Sequence, residues 1–291
     1  MICRRLGLTM AAAMLLAACG RTSGPEDVVL AYGRALYASD SDEMWGLVSA
    51  ADRRVKDEAT FRRQQQDVQG FTREVLGQLA GYITATPVKA AVTGAQARVT
   101  LRFRLPDANA PAIRDLVHGW DENELGRLPS NERARIRERL EQLRRDGALP
   151  VVEGDETFDL VREGLRWRVF LNWAGGVRVA FLGAPDPALP LRVSVEPAAA
   201  VLARGERMRV TVSVTNAGRH EITTRVRHRT KPDTEADHLA LLQCPLLVPV
   251  RLAPGETAEF VSEYLLLADA PEAAKALEVT YAFPAGEAQA R

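Results

Sequence analysis

Cysteine is the residue type here with the widest chemical repertoire, and the chain has only three: Cys3, Cys19 and Cys244. Cys244 stands within the stretch Leu239 to Glu256 and is the one thiol expected to remain free. A thiolate is a nucleophile and a soft metal ligand, but only where the sulfur is reachable and ionised. A free cysteine is equally at home as a small buried hydrophobe. Both readings stay open on the sequence, and the exposure of the sulfur decides between them. No CxxC pair occurs, and no Cys/His cluster has zinc spacing. There is no GxSxG elbow, HExxH helix, GxGxxG turn or phosphate loop. No catalytic residue is assigned, no cofactor is required, and the chain is expected not to be an enzyme. His118, His220 and His228 are expected near the surface. Trp45, Trp167 and Trp173 are expected in cores, where large aromatics contribute most area, with ligand stacking as the alternative.

Composition narrows the partners. The 291 residues carry 38 basic and 38 acidic side chains. With no basic excess, the electrostatic footprint of a nucleic-acid binder is missing. The arginines are interleaved with Glu and Asp, a pattern of mixed solvated faces. Hydrophobic residues at 46% mark a globular chain, and its length suggests two domains.

The N-terminus reads as an address. Arg4 and Arg5 precede an apolar run from Leu6 to Ala18, which is too short to span a bilayer comfortably. The run closes on Leu16-Ala17-Ala18-Cys19. That tetrad resembles the bacterial lipobox, and the resemblance implies cleavage after residues 1–18 and a diacylglyceryl group on Cys19. Residues 19–24 would then form a lipidated tether. Gly20, rather than Asp, implies the outer membrane rather than the inner one, with the protein on the periplasmic face of a bacterial envelope. The expected first partner is therefore the lipid bilayer, through Cys19.

Residues 25–182 are expected to form an α+β domain. Ser23-Gly24-Pro25-Glu26 has the pattern of a capping box, and Val29, Tyr32, Leu36 and Tyr37 recur at helical spacing. A short helix follows from Asp40, and a long one is predicted over Glu58 to Ala80 with Phe71, Val75 and Leu79 on one stripe. From Ala97 to Leu105 the period becomes two, with Arg98, Arg102 and Arg104 on a wet cationic face. Pro106 to Leu149 is read as an insertion holding a charged helix, Asn131 to Arg145. A hairpin about Glu163-Gly164 closes the unit. The opening Pro25-Glu26-Asp27-Val28-Val29 with Tyr32, the Asp-rich helix about Trp45, and the closing hairpin resemble nuclear-transport-factor-2-like domains. The resemblance implies a cone of sheet wrapped on helices, often with a pocket whose ligand it does not name.

Residues 183–190, with three prolines, read as a stiff linker. Residues 191–286 read as an all-β immunoglobulin-like sandwich, from short strands punctuated by Gly, Pro and Asn. Met208, Val210, Val212 and Val214 point one way along the clearest strand. A single strand is expected over Leu239 to Val250. The order Gly205-Glu206, Asn216, Leu242-Gln243-Cys244, Leu252-Ala253-Pro254-Gly255-Glu256 and Leu277 to Phe283 resembles the periplasmic domain of the CtaG-type copper-delivery factors of cytochrome c oxidase assembly. That resemblance implies Cu(I) at Cys244, although the family's second cysteine position is Leu246 here. Cu(I) favours soft donors and accepts imidazole. Met208 and His228 could supply further ligands if a tight hairpin at Asn216 to Gly218 made them neighbours. Two Cys244 thiolates could instead meet in a homodimer. The function expected is an envelope lipoprotein, accessory in copper handling or oxidase assembly, with an oxidase subunit or another envelope protein as partner. The alternative is a non-catalytic binding or scaffold lipoprotein in which Cys244 only packs.

Overall fold

The computed structural model describes residues 23–65 and 68–285. The signal segment 1–18, Cys19 and most of the 19–24 tether lie outside the described residues. Helices come first, joined to a four-stranded sheet, and a larger all-β unit follows.

Helix α1 (Pro25–Tyr37) opens at Gly24, whose N–H donates to the Asp27 carboxylate at 2.9 Å. The cap therefore sits one residue later than the Ser23–Glu26 pattern suggests, because Pro25 occupies the first helical position, where no N–H is needed. Val28, Val29, Tyr32 and Ala35 are buried, whereas Leu36 is 51% exposed. Helices α2 (Ser41–Leu47) and α3 (Ala50–Arg53) are capped by Asp40 and Ser49. The long helix expected over Glu58 to Ala80 is two: α4 (Glu58–Gln64) and α5 (Gly70–Gly81). Gln65 leaves α4 extended, and Gly70 has φ +58°, which a continuous helix cannot contain. Phe71, Val75 and Leu79 nevertheless share the expected buried stripe.

Strands β1 (Thr84–Thr93), β2 (Gln96–Pro106), β3 (Val151–Glu163) and β4 (Arg166–Val169) form one antiparallel sheet in that order. β1 escapes sequence reading because most of it is exposed, so no apolar alternation marks it. β2 is central and buries Ala97, Val99, Leu101 and Phe103 against α1 and its neighbours. Its outer face is not simply cationic. Arg98, Arg102 and Arg104 are matched across the ladder by Asp159, Asp155 and Glu153 at 2.7–2.9 Å. The insertion carries α6 (Pro111–Arg114), α7 (Glu122–Arg127) and α8 (Ser130–Arg145). With α5 they close a second small core around Leu79, Ile113 and Leu140. α8 stops at Gly147 (φ +67°), where the N–H of Ala148 returns to Leu143 O, a Schellman closure.

In the second unit, β5 (Val177–Pro185), β6 (Leu191–Glu196), β7 (Ala199–Leu202) and β8 (Arg207–Asn216) come first. β9 (Ile222–Thr224), β10 (Arg227–Lys231), β11 (Leu239–Gln243), β12 (Val250–Leu252), β13 (Thr257–Leu266) and β14 (Ala276–Phe283) follow. One sheet has the order β10-β14-β5-β7, the other β11-β13-β8-β6, and β9 pairs with β12. The inward residues of both large sheets make one core, including Met208, Val210, Val212, Val214, Val279 and Tyr281.

The linker expected at 183–190 begins inside a strand. Gly183, Ala184 and Pro185 lie parallel to Tyr281, Ala282 and Phe283 of β14, and Val177, Val179 and Phe181 belong to the second core. Pro185 is tolerated because it ends its strand. The all-β unit thus starts near Val177, and the connection between units is the segment from Asn172 to Gly176. The expected strand from Leu239 to Val250 is also divided. β11 ends at Gln243, Pro245–Leu247 form a 3-10 turn, and β12 begins at Val250.

Close approach of α1 to β2 depends on Gly33. A Cβ there would fall 2.7 Å from Phe103 Cε1. Gly33→Val is expected to destabilise the chain by about 1–3 kcal/mol through overpacking. Its gain in helix propensity, about 0.5 kcal/mol, is too small to offset this. Urea unfolding monitored by circular dichroism measures the difference.

Candidate functional site

Alternation along β10 sends Arg227, Arg229 and Lys231 outward and His228 inward, opposite Tyr281 of β14. The His228 ring meets Tyr281 edge-on, centroids 4.8 Å apart. From the facing sheet, β13 contributes Ser262 and Tyr264, both buried. The two tyrosine hydroxyls are 2.8 Å apart. Burial pushes the Tyr281 hydroxyl up to about 12 and raises that of Tyr264 further. Cys244 ends β11 at the turn into Pro245. Its Sγ accepts from Ser262 Oγ at 3.3 Å and lies 3.5 Å from His228 Nε2.

This cluster answers several expectations. Cys244 is only 9% exposed and belongs to the core. His228 does reach Cys244, and it does so from the other sheet rather than along a hairpin. Met208 does not pair with His228: β8 lies between β13 and β6, and Met208 stands opposite Tyr264. The expected hairpin at Asn216 to Gly218 is replaced by crossovers between sheets. Asn216 itself is buried and donates to the carbonyls of His220 and Leu252, with Gly218 N–H donating to its Oδ1.

Two donor atoms 3.5 Å apart can reach one ion, since imidazole and thiolate bonds to a first-row metal are about 2.0 and 2.3 Å. Cys244 and His228 are thus donors of the kinds Cu(I) accepts, at a spacing that suits a site with a further donor rather than the opposed pair of a two-donor site. Among the described residues, no group of three His, Cys, Asp or Glu side chains converges. Burial holds His228 below its ordinary value of 6.5, so its ring is neutral at pH 7. Its Nδ1 is buried and makes no hydrogen bond among the described residues.

A second polar constellation lies where the units meet. Lys56, just beyond α3, is 4% exposed, and its Nζ contacts Glu206 Oε1 at 2.5 Å. The same ammonium sits 4.1 Å from the centre of the Trp173 ring. Glu206 Oε2 accepts from Trp173 Nε1 at 2.8 Å and from Ala203 N–H at 2.7 Å. Asp52, buried on α3, accepts from the backbone N–H groups of Leu171 and Trp173 and from Ser49 Oγ. Arg204 adds bonds to Gly175 O, Ala270 O and Pro271 O. Desolvation lowers Lys56 from 10.5, against the opposing pull of Glu206. Trp173 is in a core as expected, stacked near Trp45 and Phe61, while Trp45 and Trp167 pack half-buried at its margin. His118 is near the surface beside Glu124.

Sequence reasoning missed Asp52 and Lys56, and met Glu206 only as part of the Gly205-Glu206 pair before a strand, without its role at the junction. The only signal is that Lys56 is one of four lysines in a chain that otherwise uses arginine. No protein-family model matches the chain, and no curated protein matches it.

Removing one partner of a buried ion pair costs about 3–5 kcal/mol, because the other charge is stranded. Glu206→Ala is expected to lose that much in urea unfolding, whereas Lys56→Met with Glu206→Leu loses clearly less. His228 generates a pH effect. Its folded value lies below 6.5, so the unfolded chain binds the extra proton first and stability falls as pH drops through and below 6.5. His228→Gln should flatten that part of the stability–pH curve.

Proposed function

We propose that this chain is a lipid-anchored protein of the bacterial envelope that works by binding or scaffolding, without catalysis. In this reading residues 1–18 are removed, Cys19 carries the lipid, and the two units face the periplasm. The first unit is taken as a nuclear-transport-factor-2-like cone and the second as an immunoglobulin-like sandwich. Supporting the latter, β6-β8-β13-β11 follows the A-B-E-D order of that fold. β10 and β14 stand as C and F, with β5 in the place of G.

The observation that carries the scaffold reading is the setting of Cys244. Its sulfur is bonded to Ser262 within the core, as a packing cysteine is. The joint adds support. Lys56, Glu206 and Trp173 hold the units in one arrangement, which suits a frame presenting fixed surfaces to a partner. An oxidase subunit or another envelope protein fits that role.

A second reading, accessory copper handling, is favoured by the Cys244–His228 contact at 3.5 Å. Those two residues would hold Cu(I), with the thiolate as the soft donor. Cu(I) titration under reducing conditions separates the readings. The scaffold reading expects equal, weak binding by wild type, Cys244→Ser and His228→Ala. Tight one-to-one binding lost in both variants would establish the copper reading instead. Fatty-acid labelling in cells tests the anchor: label on the wild type and none on Cys19→Ser is expected.

A further inference from the structure

The first sheet has two margins, β1 and β4, and they differ. At β4, Val48 bridges Val169, whose carbonyl accepts from Ser49 N–H at 2.9 Å. At β1 the margin is open. From Lys89 to Thr93 every residue is exposed, and among the described residues the backbone there bonds only along the β2 ladder. Such a margin offers a row of N–H and C=O groups, and what that row accepts is another strand. The class of partner is therefore set by backbone polarity.

Register narrows the partner to a second copy of this chain. Lys89, Ala91 and Thr93 share a face with their opposites on β2, Thr100, Arg98 and Gln96. Ala90 and Val92 share the other face with buried Val99 and Ala97. When two β1 strands meet antiparallel about a two-fold axis at Ala91, Lys89 faces Thr93 of the second copy, Ala90 faces Val92, and Ala91 faces its own equivalent. Apolar then meets apolar on the inner face, where Val92 is 56% exposed. Lys89 is the one charged side chain of β1. The two lysines would lie four residues apart along the pairing, about 13 Å, which exceeds a Debye length of about 8 Å. The nearby guanidinium groups of Arg98 and Arg102 are already held by Asp159 and Asp155 at 2.8 and 2.7 Å. Beyond Lys89 the register shift next to Pro87 bends the strand away, so the match stops there.

We propose that this protein forms a two-fold dimer through Lys89–Thr93, joining two four-stranded sheets into one continuous sheet. The pairing is isologous and occupies the open margin of both copies, so it closes at two. It is a small contact, of the size that holds weakly and reversibly. It requires neither the lipid anchor nor a metal.

The test uses residues 19–291 with Cys19→Ser, which keeps every described residue and lacks the anchor. Sedimentation velocity over a concentration series is expected to show a reversible monomer–dimer equilibrium. Ala91→Lys sets two ammonium groups face to face at the axis and should weaken the dimer about fivefold. Cross-linking reads the register. Directly opposed residues have Cα atoms about 4.5–5.5 Å apart, within reach of a disulfide. With diamide as oxidant, Ala91→Cys should therefore give a covalent dimer. Thr93→Cys should not, since its two copies would stand about 13 Å apart. Both positions are exposed, and unchanged urea unfolding of each variant shows that the fold is intact. A monomer at every concentration, a dimer indifferent to Ala91→Lys, or coupling of Thr93→Cys as fast as that of Ala91→Cys overturns the proposal.

Discussion

A charged lysine buried at the junction is the constraint around which the two units are arranged. Lys56 Nζ has given up water, and the loss is compensated only because Glu206 and the face of Trp173 are both in place. Glu206 comes from the all-β unit, Lys56 from the helical one, and Trp173 from the segment that connects them. No one of the three can move alone without stranding a charge or an indole N–H. Asp52 reinforces this from below by holding the backbone of the connecting segment. The junction is therefore specified by electrostatics and aromatic packing, rather than by a stiff proline-rich spacer.

The same economy describes the interior of the all-β unit. One group of its buried polar atoms runs from Tyr264 and Tyr281 to Ser262, Cys244 and His228 in the gap between the sheets, apart from buried Asn216, which bonds to backbone. A buried polar group is tolerable when it has a partner, and most members of this group have one. Nδ1 of His228 does not, among the described residues. The thiol is thus part of an internal network, and the imidazole nearest to it is kept neutral by burial.

Much of the fold could be read from residue types because burial imposes a period. Met208 to Val214, Ala97 to Phe103 and the stripe Phe71, Val75 and Leu79 all declare their inner faces. Asp146-Gly147 declares the end of α8 through a backbone angle that glycine adopts readily. β1 made no such declaration, being wet on both faces. The break between α4 and α5 was hidden because Gly70 is only one residue in an otherwise helical pattern. Pro185 and Pro187 suggested a spacer, yet Pro185 ends a strand whose earlier residues are core. Pairing between strands distant in sequence leaves no local signature, and so the approach of His228 to Cys244 and of Lys56 to Glu206 could not be read. Cys244 itself stood out by rarity, and its burial is a property of the fold around it.

The parallel pairing of β5 with β14 has a consequence for how the molecule is made. β14 sits between β10 and β5, so one sheet has no middle until the last strand arrives. A chain delivered from its N-terminus can assemble the helical unit while the strands behind it are still waiting. The all-β unit then closes late and all at once, when its C-terminal end slots between two strands already synthesised. Until that moment Val177, Val179 and Phe181 lack the neighbouring strand that completes their sheet.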